Sequence, residues 1–267
     1  MNDKKRNKRN VLISEEEFNK AVLKNIKENK EGITDYPILD FDKRAMGLLC
    51  RGIRETLKHS RVRPAGGKVY EAVNRGFDIV ASSLALTVLA IPLGVVALMI
   101  FLDDWGNPVF SQVRLTKNGR PFKMYKLRSM CVDAEEKFAE VQKKNESDGL
   151  AFKSDDDPRI TKIGKFIRKT SIDELPQLWN VLKGDMSIIG PRPPLPREVV
   201  LYTPAQMDRL LVKGGLSCIC QTEGRSDMPF EEWVESDIRY IKKRSLFLDA
   251  KLIVKTFTAV LLRKGAK

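Results

Sequence analysis

The chain has 267 residues, is 42% hydrophobic, and carries 48 Lys and Arg against 35 Asp and Glu, a formal net charge of +13. That length holds one large domain or one modest domain with extensions. The single histidine, His59, leaves Ser-His-Asp and Cys-His mechanisms without their base, and no G-x-x-x-x-G-K-[ST] or G-x-G-x-x-G follows a strand, which excludes a P-loop and a dinucleotide fold.

Residues 1–67 read as a basic N-terminal accessory region. The opening MNDKKRNKRNVLISEEE has basic residues but no apolar core behind them, so it does not read as a signal peptide. SEEEFNKAVLKNIKEN starts with a capping Ser14 and sets Phe18, Val22, Leu23 and Ile26 at helical spacing. DKRAMGLLCRGIRETLKH predicts a second amphipathic helix, with Met46, Leu49, Ile53 and Leu57 on one side and five basic residues elsewhere. Such a helix suits a membrane surface or another protein helix. RPAGGK follows as a linker.

Residues 68–104 hold the apolar segment. From Ile79 to Leu102 no side chain is charged, yet Pro92 sits in the middle. A hydrocarbon core needs about 20 apolar residues in one helix. Proline takes the partner from the Val88 carbonyl and predicts a kink or break at Ile91-Pro92. Split there, the halves would rise only about 15–22 Å, and neither crosses alone. A kinked span and a re-entrant hairpin both fit the run itself. Flanking charge favours the hairpin: KKRNKRN and KHSRVRPAGGK precede the run, and KIGKFIRK and IKKR follow it. Lys and Arg beside a membrane segment tend to stay cytoplasmic, and a hairpin keeps both flanks on that side, against an anionic leaflet.

Residues 105–267 form the third region. Asn118-Gly119 predicts a hairpin of strands near 109–115 and 122–127, with Lys126 and Arg128 on one face where they suit phosphate or merely keep an edge soluble. VDAEEKFAEVQKKNES reads as a charged helix followed by a loop. Cys50, Cys131, Cys218 and Cys220 do not form the two pairs of a zinc site and read as reduced thiols.

The densest stretch is DDDPRITKIGKFIRKTSIDELPQLWNVLKGDMSIIGPRPPLP. A basic helix over 162–169 leads into Asp173-Glu174. Leu175, Leu178, Trp179 and Leu182 mark a second helix that Gly184 closes. Pro176 is tolerable only in a first turn, so Asp173 is expected at the N-cap, and Ser171-x-x-Glu174 matches a capping box. Capping alone would account for both acids. Their company suggests more: Arg168 and Lys169 precede them, and Arg192 follows in a stiff GPRPP loop whose guanidinium suits phosphate oxygens. Carboxylates among arginines, near a membrane segment, point to a diphosphate and a hard cation such as Mg²⁺ at the lipid surface.

At this point the chain resembles a known family. NRGFDIVASSLALTVLAIPLGVVALMI, KMYKLRSM, DPRITKIGKFIRKTSIDELPQLWNVLKGDMSIIGPRP and LDAKLIVKT are similar to the bacterial sugar transferases, the monotopic polyprenyl-phosphate phosphoglycosyl transferases, from about Lys68 to the C-terminus. The resemblance implies an α+β, mostly helical fold with a re-entrant membrane helix broken at Pro92, interfacial amphipathic helices and a small β-hairpin. It implies that a sugar 1-phosphate moves from a UDP-sugar to undecaprenyl phosphate with release of UMP, an early membrane step of polysaccharide or glycoconjugate assembly. Asp173 would be the nucleophile and Glu174 its partner in the dyad. With Mg²⁺ held by that dyad, Lys126, Arg128, Arg168 and Arg192 would offset the anionic charge. The implied partners are the two substrates and the bacterial inner membrane, with the catalytic domain facing the cytoplasm and no nucleic acid; a homo-oligomer is left open.

The chain also departs from the family pattern. Ile91 stands where serine is usual before the membrane proline. GGLSCICQ keeps Gly215, Ser217 and Gln221 but lacks the usual proline and second glycine, and Arg225 follows in EGR. Gln221 and Arg225 are carried as substrate-binding candidates. Asp237 and Asp249 match family positions without an assigned role. The rival reading is a non-catalytic, membrane-anchored scaffold whose acids only cap helices.

Overall fold

The computed structural model describes residues 43–134, 137, 157–220 and 228–261. The helix expected at 14–26, most of the charged helix expected after 132, and the candidates Gln221 and Arg225 lie outside the described residues. The architecture is mostly helical, with two small two-stranded sheets.

Helix α1, Lys43–Lys58, buries Ala45, Leu49, Cys50, Ile53 and Leu57 along one stripe, as the apolar spacing requires. The stripe joins a core cluster with Leu115, Val199, Tyr202 and Leu210, so this amphipathic face is covered by protein. Ile53 lies against Gly119, where an added Cβ would sit 2.8 Å from its Cδ1, and the Cys50 thiol donates to the Gly119 carbonyl at 3.0 Å.

Helix α2, Gly67–Asp104, is the long apolar element, and among the described residues it alone has the length and composition to cross a membrane. The chain does not leave the helical conformation at Ile91-Pro92: one 38-residue helix runs through Pro92, an arrangement that still admits the expected kink. A proline removes one donor from the ladder, and the helix continues when the residues on either side keep helical angles. Val80, Leu84, Val88, Ile91 and Leu98 are exposed along its middle. Both ends also make polar and apolar contacts with the rest of the body. Near the start, Glu71 meets Lys117 at 3.3 Å, Arg75 donates to the Val181 and Leu182 carbonyls, and Asp78 accepts from the Ile188 amide. Near the end, Ile100 packs with Leu127 and Ile167, and Asp104 pairs with Arg128.

Strands β1, Val109–Thr116, and β2, Arg120–Leu127, pair antiparallel from Val109 opposite Leu127 to Thr116 opposite Arg120. The turn is the expected one: Asn118 and Gly119 both adopt positive φ, 59° and 71°. Helix α3, Lys162–Lys169, also forms where its basic sequence predicts, opened by Thr161, whose side chain accepts from the Gly164 amide. Gly164 is obligatory here, because a Cβ would fall 1.9 Å from the Ser129 carbonyl.

Beyond α3 the chain makes a 3-10 turn, Ile172–Glu174, before helix α4, Gln177–Lys183, closed as expected by a left-handed Gly184. Two expectations fail here. The N-cap positions belong to Ser171 and Pro176, without side-chain capping bonds, so Asp173 is no cap and the Ser171–Glu174 box does not form. The buried face of α4 is Gln177, Leu178, Asn180 and Val181, while Trp179 is half exposed. Strand β3, Ser187–Ile189, then pairs in parallel with β4, Gly215–Ser217. Between them come the short helices α5, Pro196–Val199, and α6, Pro204–Met207. Helices α7, Phe230–Lys243, and α8, Leu246–Leu261, complete the body, with Tyr240, Ile241 and Leu252 packed against Ile189 and Val212.

Candidate active site

Three sequence-distant pieces meet at the acid pair. Lys126, near the end of β2, donates to Glu174 Oε1 at 2.7 Å and stands 3.9 Å from Asp173 Oδ2. It is held there by Asn180, fully buried on α4, whose side chain accepts from the Tyr125 amide at 3.1 Å and donates to the Lys123 carbonyl at 2.7 Å. That amide takes the place of a third strand along the β2 edge and fixes the strand against the segment carrying both acids.

Asp173 is 7% exposed. Burial pushes its carboxyl up to about 6, with Lys126 and Arg168 pulling the other way and the charge of Glu174 adding to the rise. Burial also acts to raise Glu174, but Lys126, Arg192 and Arg114 outweigh it and lower that carboxyl to about 2. The two neighbours therefore diverge: one acid is kept firmly ionised by cations, while the other carries a charge that burial disfavours. A carboxylate in that condition gains by forming a bond to an electrophile.

Arg168 acts by charge on Asp173, and the half-buried Arg192 on Glu174. Arg128 does not join them. It lies one residue past β2 and is committed to Asp104 and to the carbonyls of Asn107 and Met130. Arg114 was not singled out from sequence. It is buried on β1, donates to the Pro193 carbonyl at 3.0 Å, and so sits beneath the loop presenting Arg192. Strand alternation gave no signal for it, since Leu115 beside it takes the inward position; its burial comes from the 193–194 segment that covers the other face. Asn180, an amide on the buried face of its helix, was likewise not singled out.

Asp237 and Asp249 now have places. Asp237, 1% exposed, accepts from Arg209 Nε at 2.7 Å, and that guanidinium lies among the rings of Tyr202, Phe230 and Trp233. Asp249 accepts from Tyr70 at 2.6 Å and Tyr240 at 2.9 Å, tying the start of α2 to α7 and α8. Both are structural contacts.

Among the described residues no group of three or more His, Cys, Asp or Glu gathers. Two carboxylates with an ammonium between them suit a hard divalent cation that takes most of its ligands from water and substrate phosphate. Carboxylate oxygens are the donors Mg²⁺ takes, but the pair could supply two of its ligands at most.

Comparison with known proteins matches residues 69–263 to the family described as bacterial sugar transferase. The chain is 47% identical over 197 residues to the galactosyl transferase CpsE of Streptococcus agalactiae serotype III, covering 72% of this chain and 43% of that protein. It is 39% identical over 201 residues to an undecaprenyl-phosphate galactose phosphotransferase of Salmonella typhimurium, covering 73% and 41%. With the exopolysaccharide production protein ExoY of Rhizobium meliloti the identity is 35% over 209 residues, covering 77% and 91%. The chain thus spans under half the length of the first two and most of the third.

Proposed function

The chain belongs to the bacterial sugar transferase family, and we propose that it transfers a sugar 1-phosphate from a UDP-sugar to undecaprenyl phosphate by way of a phosphosugar adduct on Asp173. The observation that carries this reading is the acid pair. Asp173 is buried, serves no helix cap, and stands 3.9 Å from its cation while its neighbour Glu174 takes the direct bond. In the first step an Asp173 oxygen bonds to the β-phosphorus as the bond to the bridging oxygen breaks, and UMP departs with that electron pair. In the second, an oxygen of the lipid phosphate bonds to the same phosphorus and Asp173 leaves as a carboxylate. One displacement between two anions becomes two, each with the electrophile held in place.

Lys126, Arg168 and Arg192 offset the charge of the diphosphate. Asp173 and Glu174 would hold Mg²⁺, which supplies further neutralisation when bound. Glu174, ionised and fixed by Lys126, keeps that ammonium beside the reacting oxygen.

The same reading places the site at the cytoplasmic face of the inner membrane. The two ends of α2 grip opposite ends of the β1–β2 hairpin, Glu71 at the turn and Asp104 beyond β2. A straight helix between those residues would run about 50 Å, whereas an eight-residue strand runs about 26 Å. This mismatch supports a path that enters the bilayer and bends back near Pro92, keeping both basic flanks on one side.

The test is incubation of detergent-purified protein with Mg²⁺, undecaprenyl phosphate and a panel of UDP-sugars, scoring UMP. UDP-galactose and UDP-N-acetylgalactosamine head the panel, because relatives carry those sugars in their names. UMP release by the native chain, its loss in Asp173→Ala, and a labelled phosphosugar on Asp173 are the expected results. Absence of UMP with every sugar would overturn the substrate assignment, and unchanged turnover in Asp173→Ala the nucleophile.

A further inference from the structure

One helical turn of α2 makes polar contacts that membrane anchoring does not require. Asn74 donates to Ser187 Oγ at 3.1 Å, and Asp78 accepts from Ser187 Oγ at 3.1 Å and from the Ile188 amide at 3.0 Å. Arg75 donates to the carbonyls of Val181 at 2.6 Å and Leu182 at 2.7 Å. Asp78 is 1% exposed and Ser82, which follows it by one turn, is fully buried. The two targets have distinct places in the chain. Val181 and Leu182 lie in the last turn of α4, the helix that begins just after the acid pair; the Val181 carbonyl also accepts from the Gly184 amide at 2.9 Å, and a cation suits the carbonyls at a helix C-terminus. Ser187 and Ile188 begin β3, the strand that leads to Arg192.

Asp173 and Glu174 therefore lie on one side of the clamp and Arg192 on the other, with α2 holding the join. The approach is close: a Cβ at Gly184, the residue between the two clamped segments, would fall 3.2 Å from Arg75 Nη2. We infer that Asn74, Arg75 and Asp78 are positioning residues, through which the apolar helix sets the separation between the acid pair and Arg192. This rests on the transferase reading. Displacing reacting or stabilising groups by about 1 Å can cost on the order of 10²-fold in rate, so the clamp acts on the chemical step.

The test compares Asp78→Ala with Asp78→Asn in the whole 267-residue chain. The asparagine oxygen still accepts from Ser187 and Ile188; alanine cannot. Asp78→Ala is expected to lower kcat for UMP release by about 30-fold or more with the KM for UDP-sugar within about threefold, and Asp78→Asn to stay within about threefold of the native kcat. Amide hydrogen exchange needs no turnover: in Asp78→Ala the amides of 187–190 should exchange at least about tenfold faster while those of 230–243 are unchanged. A native kcat in Asp78→Ala, or a loss equal to the fraction of protein unfolded, would overturn the inference. If the native chain released no UMP the functional reading would fail alone, and unaltered exchange at 187–190 would then sink the clamp on its own terms.

Discussion

Asp173 and Asp237 invite comparison because they share so much. Both are buried, both stand near arginine, and burial pushes both carboxyls up to about 6. What separates them is the partner. Asp237 meets Arg209 at 2.7 Å inside an aromatic box, whereas the cation nearest Asp173 is 3.9 Å away and bonded to Glu174. A raised carboxyl marks burial in both cases; only contact distinguishes an acid bonded directly to its cation from one whose cation bonds a neighbour.

The sharpest way to break this comparison is to neutralise each acid. Asp173→Asn should cost about 10⁴-fold or more in UMP release without lowering the melting temperature. The sign follows from linkage. Its carboxyl titrates near 6 when folded against an ordinary 3.8, so the stability tied to the protonated form is full below 3.8 and lost as pH rises through about 6. At pH 7.5 an asparagine escapes that loss and should melt at or above the native chain. At Asp237 the same linkage is outweighed: Asp237→Asn keeps an oxygen for Arg209 but removes the charge that offsets its buried guanidinium, which should cost on the order of 3–5 kcal/mol and lower the melting temperature by roughly 10 °C, with turnover per folded molecule within about threefold. Calorimetry and UMP release on both variants decide the matter, and a turnover loss in Asp237→Asn beyond its unfolded fraction would erase the distinction.

Next in size is Lys126→Met, expected to lower kcat about 10²-fold by removing the charge beside both acids. The pH profile follows: kcat/KM should fall about tenfold per unit below a midpoint near 6, as Asp173 takes up its proton. A flat profile between pH 5 and 7 would argue that another group attacks. The smallest effect belongs to Arg128→Ala. With its guanidinium committed to Asp104, turnover should stay within about fivefold, and faster amide exchange near 104 should be the main change.

How legible these features were in the sequence depended on how local their causes are. The hairpin could be read because Asn118 and Gly119 set its turn unaided, and α3 and the end of α4 because a threonine cap and a left-handed glycine act within a few residues. The acid pair could be found but not its state. Ser171-x-x-Glu174 spells a local cap, and Lys126, 48 residues distant, takes Glu174 instead. Arg128 was misplaced because strand alternation assigned it a face that Asp104 overrides. Trp179 helped to mark α4 by spacing, yet stands half exposed while Asn180 beside it is fully buried. Asn180 and Arg114 act through backbone groups 57 and 79 residues away, and no periodicity announces such partners.

The contact between Asp78 and the Ile188 amide joins residues 110 positions apart. At ribosomal speeds of roughly 5–20 residues per second, the apolar helix leaves the exit tunnel about 5–20 s before its landing place exists. During biogenesis Asn74, Arg75 and Asp78 must wait without their mates, in water or among headgroups. The seating of α2 is thus completed only once the downstream strand has been translated, and a polypeptide halted before it would carry an acid and a guanidinium without the partners that the finished fold gives them.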